Sequence, residues 1–189
     1  MKKVKCTVIG DFSVGKTSVI YSFLGKPLKN VQSTLGIDFF TKSIRVKGEK
    51  IILTIWDTAG AERFHSLTDS YLRGSDLVIV MYDMTKHSSN ITQWMRKAEQ
   101  HKPNIIGVLG NKDDLTPSFN GDLHNILFPW TRQNWKIVTG YCSSRRPESV
   151  KKFFTRCLVS HLGNEIESPE LIPIVSINAK KTKNRTCCS

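Results

Sequence analysis

Gly10-Asp11-Phe12-Ser13-Val14-Gly15-Lys16-Thr17 spells GDFSVGKT, a match to GxxxxGK(S/T) placed directly after the apolar run Val4 to Ile9. Such a run reads as a buried strand, and the glycine-bounded turn after it has to lead into a helix. Few architectures accommodate that junction. The glycines let the backbone wrap closely around an anion, so that successive N–H groups and the start of the next helix, where Ser18 stands, point at a triphosphate. Lys16 is then placed to pair with the β- and γ-phosphates, and the Thr17 hydroxyl to meet Mg²⁺.

Further apolar segments recur at Phe39 to Val46, Ile51 to Trp56, Leu77 to Tyr82, Ile105 to Leu109 and Trp135 to Val138. Their spacing predicts strands alternating with helices. The segments flanking Lys47-Gly48-Glu49 alternate apolar and polar residues and read as a hairpin, while the others need helical crossovers. The expected fold is α/β: a P-loop architecture with a six-stranded, mostly parallel sheet, one antiparallel edge strand and helices on both faces. Ser88 to Gln100 and Pro147 to His161 read as helices, the latter with Val150, Phe153, Phe154, Cys157 and Leu158 on one face. The path from Asn120 to Asn134 stays open. After Gly163 the pattern decays, which divides the chain into a domain over 1–163 and a flexible tail over 164–189.

At 189 residues the chain suits one domain. The run Leu77 to Tyr82 is too short to cross a bilayer, and Met1-Lys2-Lys3-Val4-Lys5 leads into no signal-peptide core, which points to the cytosol. Five cysteines are an odd count, and Cys6, Cys142 and Cys157 fall in or beside apolar stretches, so no disulfide framework is implied. The net charge of +12 invites a nucleic-acid reading. The basic residues are spread along the chain, however, without a single-strand platform or a DNA-reading helix, and nucleic acid is not expected as a partner. Lys180, Lys181, Lys183 and Arg185 cluster beside the terminal cysteines, and the remaining positive charge is a solvated surface or an attraction to anionic lipid.

Asp57-Thr58-Ala59-Gly60 and Asn111-Lys112-Asp113-Asp114 each follow an apolar strand, at the edge where such sheets bind ligands. Asp57 can hold Mg²⁺ directly or through water, and Gly60 can bring its N–H to the γ-phosphate. Asp114 can accept two hydrogen bonds from the N1–H and N2 amine of guanine. Adenine lacks that donor pair, so GTP and GDP are favoured over ATP.

With these motifs in place, the chain resembles the small GTPases, and within them the Rab family, over almost its whole length. STLGIDFF (Ser33 to Phe40), LTIWDTAGAERF (Leu53 to Phe64) and DSYLRGSD (Asp69 to Asp76) are similar to segments that separate Rabs from Ras and Rho relatives. The resemblance implies that Thr34 lies in the first switch, binding Mg²⁺ and γ-phosphate, and that residues near 60 to 73 form the second. Lys16, Thr34 and Gly60 are the catalytic positions it implies, with Thr17, Thr34 and Asp57 around the metal. Cys142-Ser143-Ser144-Arg145 loosely resembles the loop whose backbone touches the guanine oxygen, and Asn111 and Lys112 belong to the base site. Phe39, Trp56 and Tyr71 fall on the three aromatic positions by which Rabs present their switch state to effectors. Cys187-Cys188-Ser189 resembles the double-cysteine ending that receives two geranylgeranyl chains. An exchange factor, an activating protein, a prenylation escort and the cytoplasmic face of a membrane are the partners and location that follow, with a soluble pool in the cytosol.

Two positions depart from the family pattern. Ala61 stands where a glutamine orients the attacking water, which is expected to slow intrinsic turnover by about 10- to 100-fold. Phe12 occupies a P-loop position normally held by a small residue; its ring either crowds an incoming arginine finger or turns outward to solvent. The first switch is also one residue shorter than usual, with only Pro27 or Leu28 where an aromatic often meets guanine. The expected function is a GTP/GDP switch that recruits effectors in vesicle trafficking, with a persistent prenylated GTP-binding scaffold as the alternative. A P-loop ATPase or kinase is disfavoured by Asn111 and Asp114.

Overall fold

A computed structural model describes residues 2–28, 37–58, 65–86, 90–115, 123–133 and 135–163. The switch residues Thr34, Gly60 and Ala61, the tail over 164–189 and the terminal Cys187 and Cys188 lie outside the described residues. The described residues form six strands and five helices: β1 (Lys2–Gly10), α1 (Lys16–Leu24), β2 (Ile37–Val46), β3 (Glu49–Thr58), α2 (His65–Leu72), β4 (Leu77–Asp83), α3 (Ile91–Gln100), β5 (Ile105–Asn111), α4 (Leu123–Thr131), β6 (Ile137–Tyr141) and α5 (Pro147–His161). The strands form one sheet in the order β2-β3-β1-β4-β5-β6. Only the pair β2–β3 is antiparallel, which makes β2 the antiparallel edge expected from the hairpin.

Burial explains why the inner strands are nearly all apolar. β4 and β5 are buried at every residue because helices cover both faces. On one face, α1 and α5 pack Phe23, Phe153, Phe154 and Cys157 against Val4, Leu53 and Ile79. On the other, α3 and α4 pack Trp94, Met95, Leu127 and Trp130 against Val78, Val80 and Ile106. α5 buries the five residues its periodicity singled out, with Pro147 in its first turn. Cys6, Cys142 and Cys157 are free and buried.

Most strands extend one or two residues past the ends read from the sequence, and two elements differ more. The last strand starts at Ile137 rather than Trp135 and runs on to Tyr141. Trp135 instead closes the turn out of α4, its N–H donating to the Trp130 carbonyl at 3.3 Å, and packs on the second core. α3 begins at Ile91 with Asn90 as its cap, later than the Ser88 start expected; residues 87–89 lie outside the described ones. The segment whose path was open contains α4, a helix with Pro129 inside it.

Candidate nucleotide site and switch face

β1 ends at Gly10, and the loop from Asp11 to Gly15 turns the chain into α1. Gly10 adopts φ 147°, with the Met81 carbonyl so close that a Cβ would collide with it. Gly15 caps α1 at φ 92°, and a Cβ there would strike the Asn111 side-chain amide. Both glycines are therefore set by close approach as well as by backbone conformation. Val14 is buried and its carbonyl accepts a 2.9 Å bond from Asn111 Nδ2. Ser13 takes a positive φ of 61° and is exposed, as is Phe12. The Phe12 ring is 54% exposed.

Lys16 is buried, and its Nζ donates to the carbonyls of Gly10 and Asp11 at 2.9 Å each, so the ammonium lies across the mouth of the loop. Thr17, next in α1, donates its hydroxyl to Asp57 Oδ2 at 2.6 Å. Asp57 is fully buried near the end of β3. A buried carboxylate beside a hydroxyl is a hard-oxygen pair of the kind that suits Mg²⁺. Ser18 follows in the same turn, half-buried. Asp11 is fastened to α3: its Oδ1 accepts from Trp94 Nε1 at 2.7 Å and its Oδ2 from the Asn90 N–H at 3.2 Å. Burial pushes the Asp11 carboxyl up, but the bonds from Trp94 and Asn90 and the nearby Lys16 outweigh it and hold it below the ordinary aspartate value.

The base side of the edge is built from β5 and the loop after β6. Asn111 is buried, and its Oδ1 accepts the Ser144 N–H at 3.1 Å while its Nδ2 holds Val14. One amide thus joins the phosphate loop, β5 and the 142–145 loop. Lys112 lies in the left-handed region, φ 68°, and its Nζ donates to Asp83 Oδ2 at 2.6 Å. Asp83 also accepts from the Thr85 N–H and hydroxyl, and these bonds override the upward push of burial to keep its carboxyl low. A bond from Ser143, aided by Arg145, holds Asp114 below the usual value, so it stands ready as an ionised acceptor. Arg145 is 3.6 Å from Asp114, and Arg146 pairs with Asp113.

Among the described residues, Lys16, Thr17, Asp57, Asn111, Lys112, Asp114, Ser143 and Ser144 therefore gather at the C-terminal ends of β1, β3, β5 and β6. Asp83, Asn90 and Trp94 support this edge and were missed by the sequence reading. The position of Asp83 at the end of an apolar strand was the available signal for it; nothing in the sequence linked Trp94 to Asp11.

Phe39, Trp56 and Tyr71 are brought together as a separate cluster. Phe39 and Trp56 are cross-strand partners with ring centroids 5.6 Å apart, and Tyr71 of α2 lies 5.6 Å on the other side of Trp56. Phe39 is 65% exposed, an unusual cost for a large apolar ring.

The Ras family model matches residues 5–162. The chain is 44% identical over 117 residues to the Ras-related protein Rab-10 of Caenorhabditis elegans, covering 59% of this chain and 58% of that one. It is 41% identical over 116 residues to RABC2b of Arabidopsis thaliana, covering 58% and 57%. To Rab-22A of Mus musculus it is 38% identical over 121 residues, covering 61% and 62%. The matched part thus spans about three fifths of the length of these relatives. With the P-loop, the paired Thr17 and Asp57, and a family match over residues 5–162, this chain belongs to the Ras family.

Proposed function

We propose that the chain is a GTP/GDP switch of the Rab type that docks effectors in vesicle trafficking and turns over slowly. The observation that carries this is the convergence of Lys16, the Thr17–Asp57 pair and Asn111 on one sheet edge. In this reading the N–H groups from Ser13 to Ser18 wrap the phosphates, and Lys16 exchanges its two loop carbonyls for phosphate oxygens. Thr17, Asp57 and Thr34 would hold Mg²⁺, which would neutralise phosphate charge. Gly60 donates to the γ-phosphate. Asp114 accepts from guanine, with the Ser143 hydroxyl released from it, and the Ser144 N–H and Asn111 keep the base pocket in register.

Hydrolysis in this scheme is positioning and electrostatics. Ala61 offers the attacking water no hydrogen bond, so the GTP form persists. That same residue favours a second reading, a prenylated GTP-bound scaffold that scarcely hydrolyses at all. Phe39, Trp56 and Tyr71 serve as the effector face, and Cys187 and Cys188 carry the lipid that holds the protein on a cytoplasmic membrane surface. No helix among the described residues is long and apolar enough to cross a membrane.

Calorimetry with GTP, GDP and ATP tests the core of the proposal. GTP and GDP should bind and ATP should not, and Asp114→Asn should weaken guanine binding by about 1–3 kcal/mol through a buried donor left unpaired. Equal affinities for GTP and ATP would overturn the guanine assignment.

A further inference from the structure

The strand register places a second, charged surface beneath the aromatic one. Directly paired residues on neighbouring strands share a sheet face. Phe39 pairs with Trp56, Thr41 with Thr54, Ser43 with Ile52 and Arg45 with Lys50. From the other side of β3, Lys3 pairs with Ile52 and Lys5 with Thr54. Lys5 confirms the shared face, its Nζ lying 5.3 Å from the Trp56 ring centroid. These residues alternate with Val4, Leu53 and Val46, which turn inward to the α1–α5 core.

Going down this open face from the aromatic row, Lys5, then Lys3, then Arg45 and Lys50 follow one another, and no carboxylate stands in these rows. Lys3, Arg45 and Lys50 are exposed. Glu49 alternates onto the opposite face, where it pairs with Lys2 at 2.9 Å. Asp76 faces Lys5 from the turn after α2, accepting its backbone N–H. Lys3, Arg45 and Lys50 have no such neighbour in the rows, so the lower face is cationic where the upper face is aromatic.

We infer that this face is a single docking surface, with Phe39, Trp56 and Tyr71 as apolar anchor and Lys3, Arg45 and Lys50 as a cationic extension that takes an acidic helical segment of a protein partner. The inference rests on the effector-face reading above and names the chemistry of the partner. Apolar rings in a row with cations below match a helix carrying leucines at one end and glutamates at the other. A stacked base is a poorer fit, because Trp56 is already flanked by Phe39, Tyr71 and Lys5.

The experiment uses the full chain loaded with a non-hydrolysable GTP analogue, and a synthetic helical peptide of Leu and Glu at i, i+3, i+4 spacing as probe. Binding is read by calorimetry at rising salt, with backbone amide shifts mapping the contact. Lys3→Glu/Arg45→Glu/Lys50→Glu should weaken the peptide at least about tenfold, and a Lys-for-Glu version of the peptide should not bind. Lys151→Glu/Lys152→Glu, an exposed charge reversal on α5, should change affinity less than about twofold. Equal losses in both variants, or no binding of the acidic peptide, overturn the inference. So does tighter, Lys3- and Arg45-dependent binding of phosphatidylserine vesicles or poly(U), which would assign the face to lipid or nucleic acid. Should the triple reversal fail to fold, Arg45→Gln/Lys50→Gln carries the same test. Retention of the GTP analogue is measured on every variant: its loss in the unaltered chain refutes the switch reading, whereas retention with unchanged peptide affinity refutes this inference alone.

Discussion

A methyl group at position 15 has nowhere to go. Gly15 is at φ 92° against the Asn111 amide, so Gly15→Ala combines a left-handed alanine, about 1–2 kcal/mol, with displacement of the bond from Asn111 to Val14. Nucleotide affinity should fall at least about tenfold, measured by displacement of a fluorescent GDP analogue. Gly25, also at positive φ but with open space around it, should cost only the backbone strain when changed to alanine. Position 61 works in the other direction. Ala61→Gln should raise intrinsic single-turnover GTP hydrolysis at least several-fold, because the amide bridges water and γ-phosphate without touching ground-state contacts. Equal rates for the two forms would mean that the chemistry does not run through this position.

Among the elements, α5 sends Val150, Phe153, Phe154, Cys157 and Leu158 into the core. Phe154 is fully buried and stacks on Phe23 of α1 at 4.2 Å, and Phe153 meets it edge-on. Phe154→Ala should cost about 3–5 kcal/mol in urea denaturation, while exposed Lys152→Ala should stay within about 0.5 kcal/mol. α5 was legible in the sequence, from Pro147 to His161, because its apolar residues repeat at helical spacing and a proline marks its start. α4 was not. Pro129 breaks the helical signature from within, and the apolar Phe128 that would extend the face is in fact exposed beside His124 and Arg132. β6 was half legible for a similar reason: Trp135 is apolar enough to read as strand, yet it is spent on closing the α4 turn. At the site, the motifs named residues that the structure gathers at one sheet edge, but not how they touch. That Asn111 holds Val14, or that Trp94 holds Asp11, depends on sequence-distant packing that no spacing rule encodes.

Two properties belong to the molecule as a whole. The carboxyls of Asp11 and Asp83 are both held below the ordinary value of 3.8, so each contributes stability that is present above that pH and lost as acid protonates it in the folded state. Thermal stability should therefore fall steeply below about pH 4, and Asp83→Asn should flatten that limb in a pH series of melting curves. The second property is location. Replacing both Cys187 and Cys188 by serine should release the protein from the membrane pellet on cell fractionation while nucleotide binding persists, since the number of lipid chains decides between marginal and firm attachment.

The Asn111 amide touches Val14 with its nitrogen and Ser144 with its oxygen, so the same side chain braces the loop after β1 and the loop after β6, which in the proposed function grip phosphate and read the base. In that function, specificity and tightness are not separately adjustable. In a thermodynamic cycle, the guanine-over-adenine preference lost on Asn111→Ala should overlap with the affinity lost on Gly15→Ala, the double variant costing less than the sum. A sequence drifting at either position would loosen both grip and discernment together, and a second change elsewhere could restore one only by restoring the other.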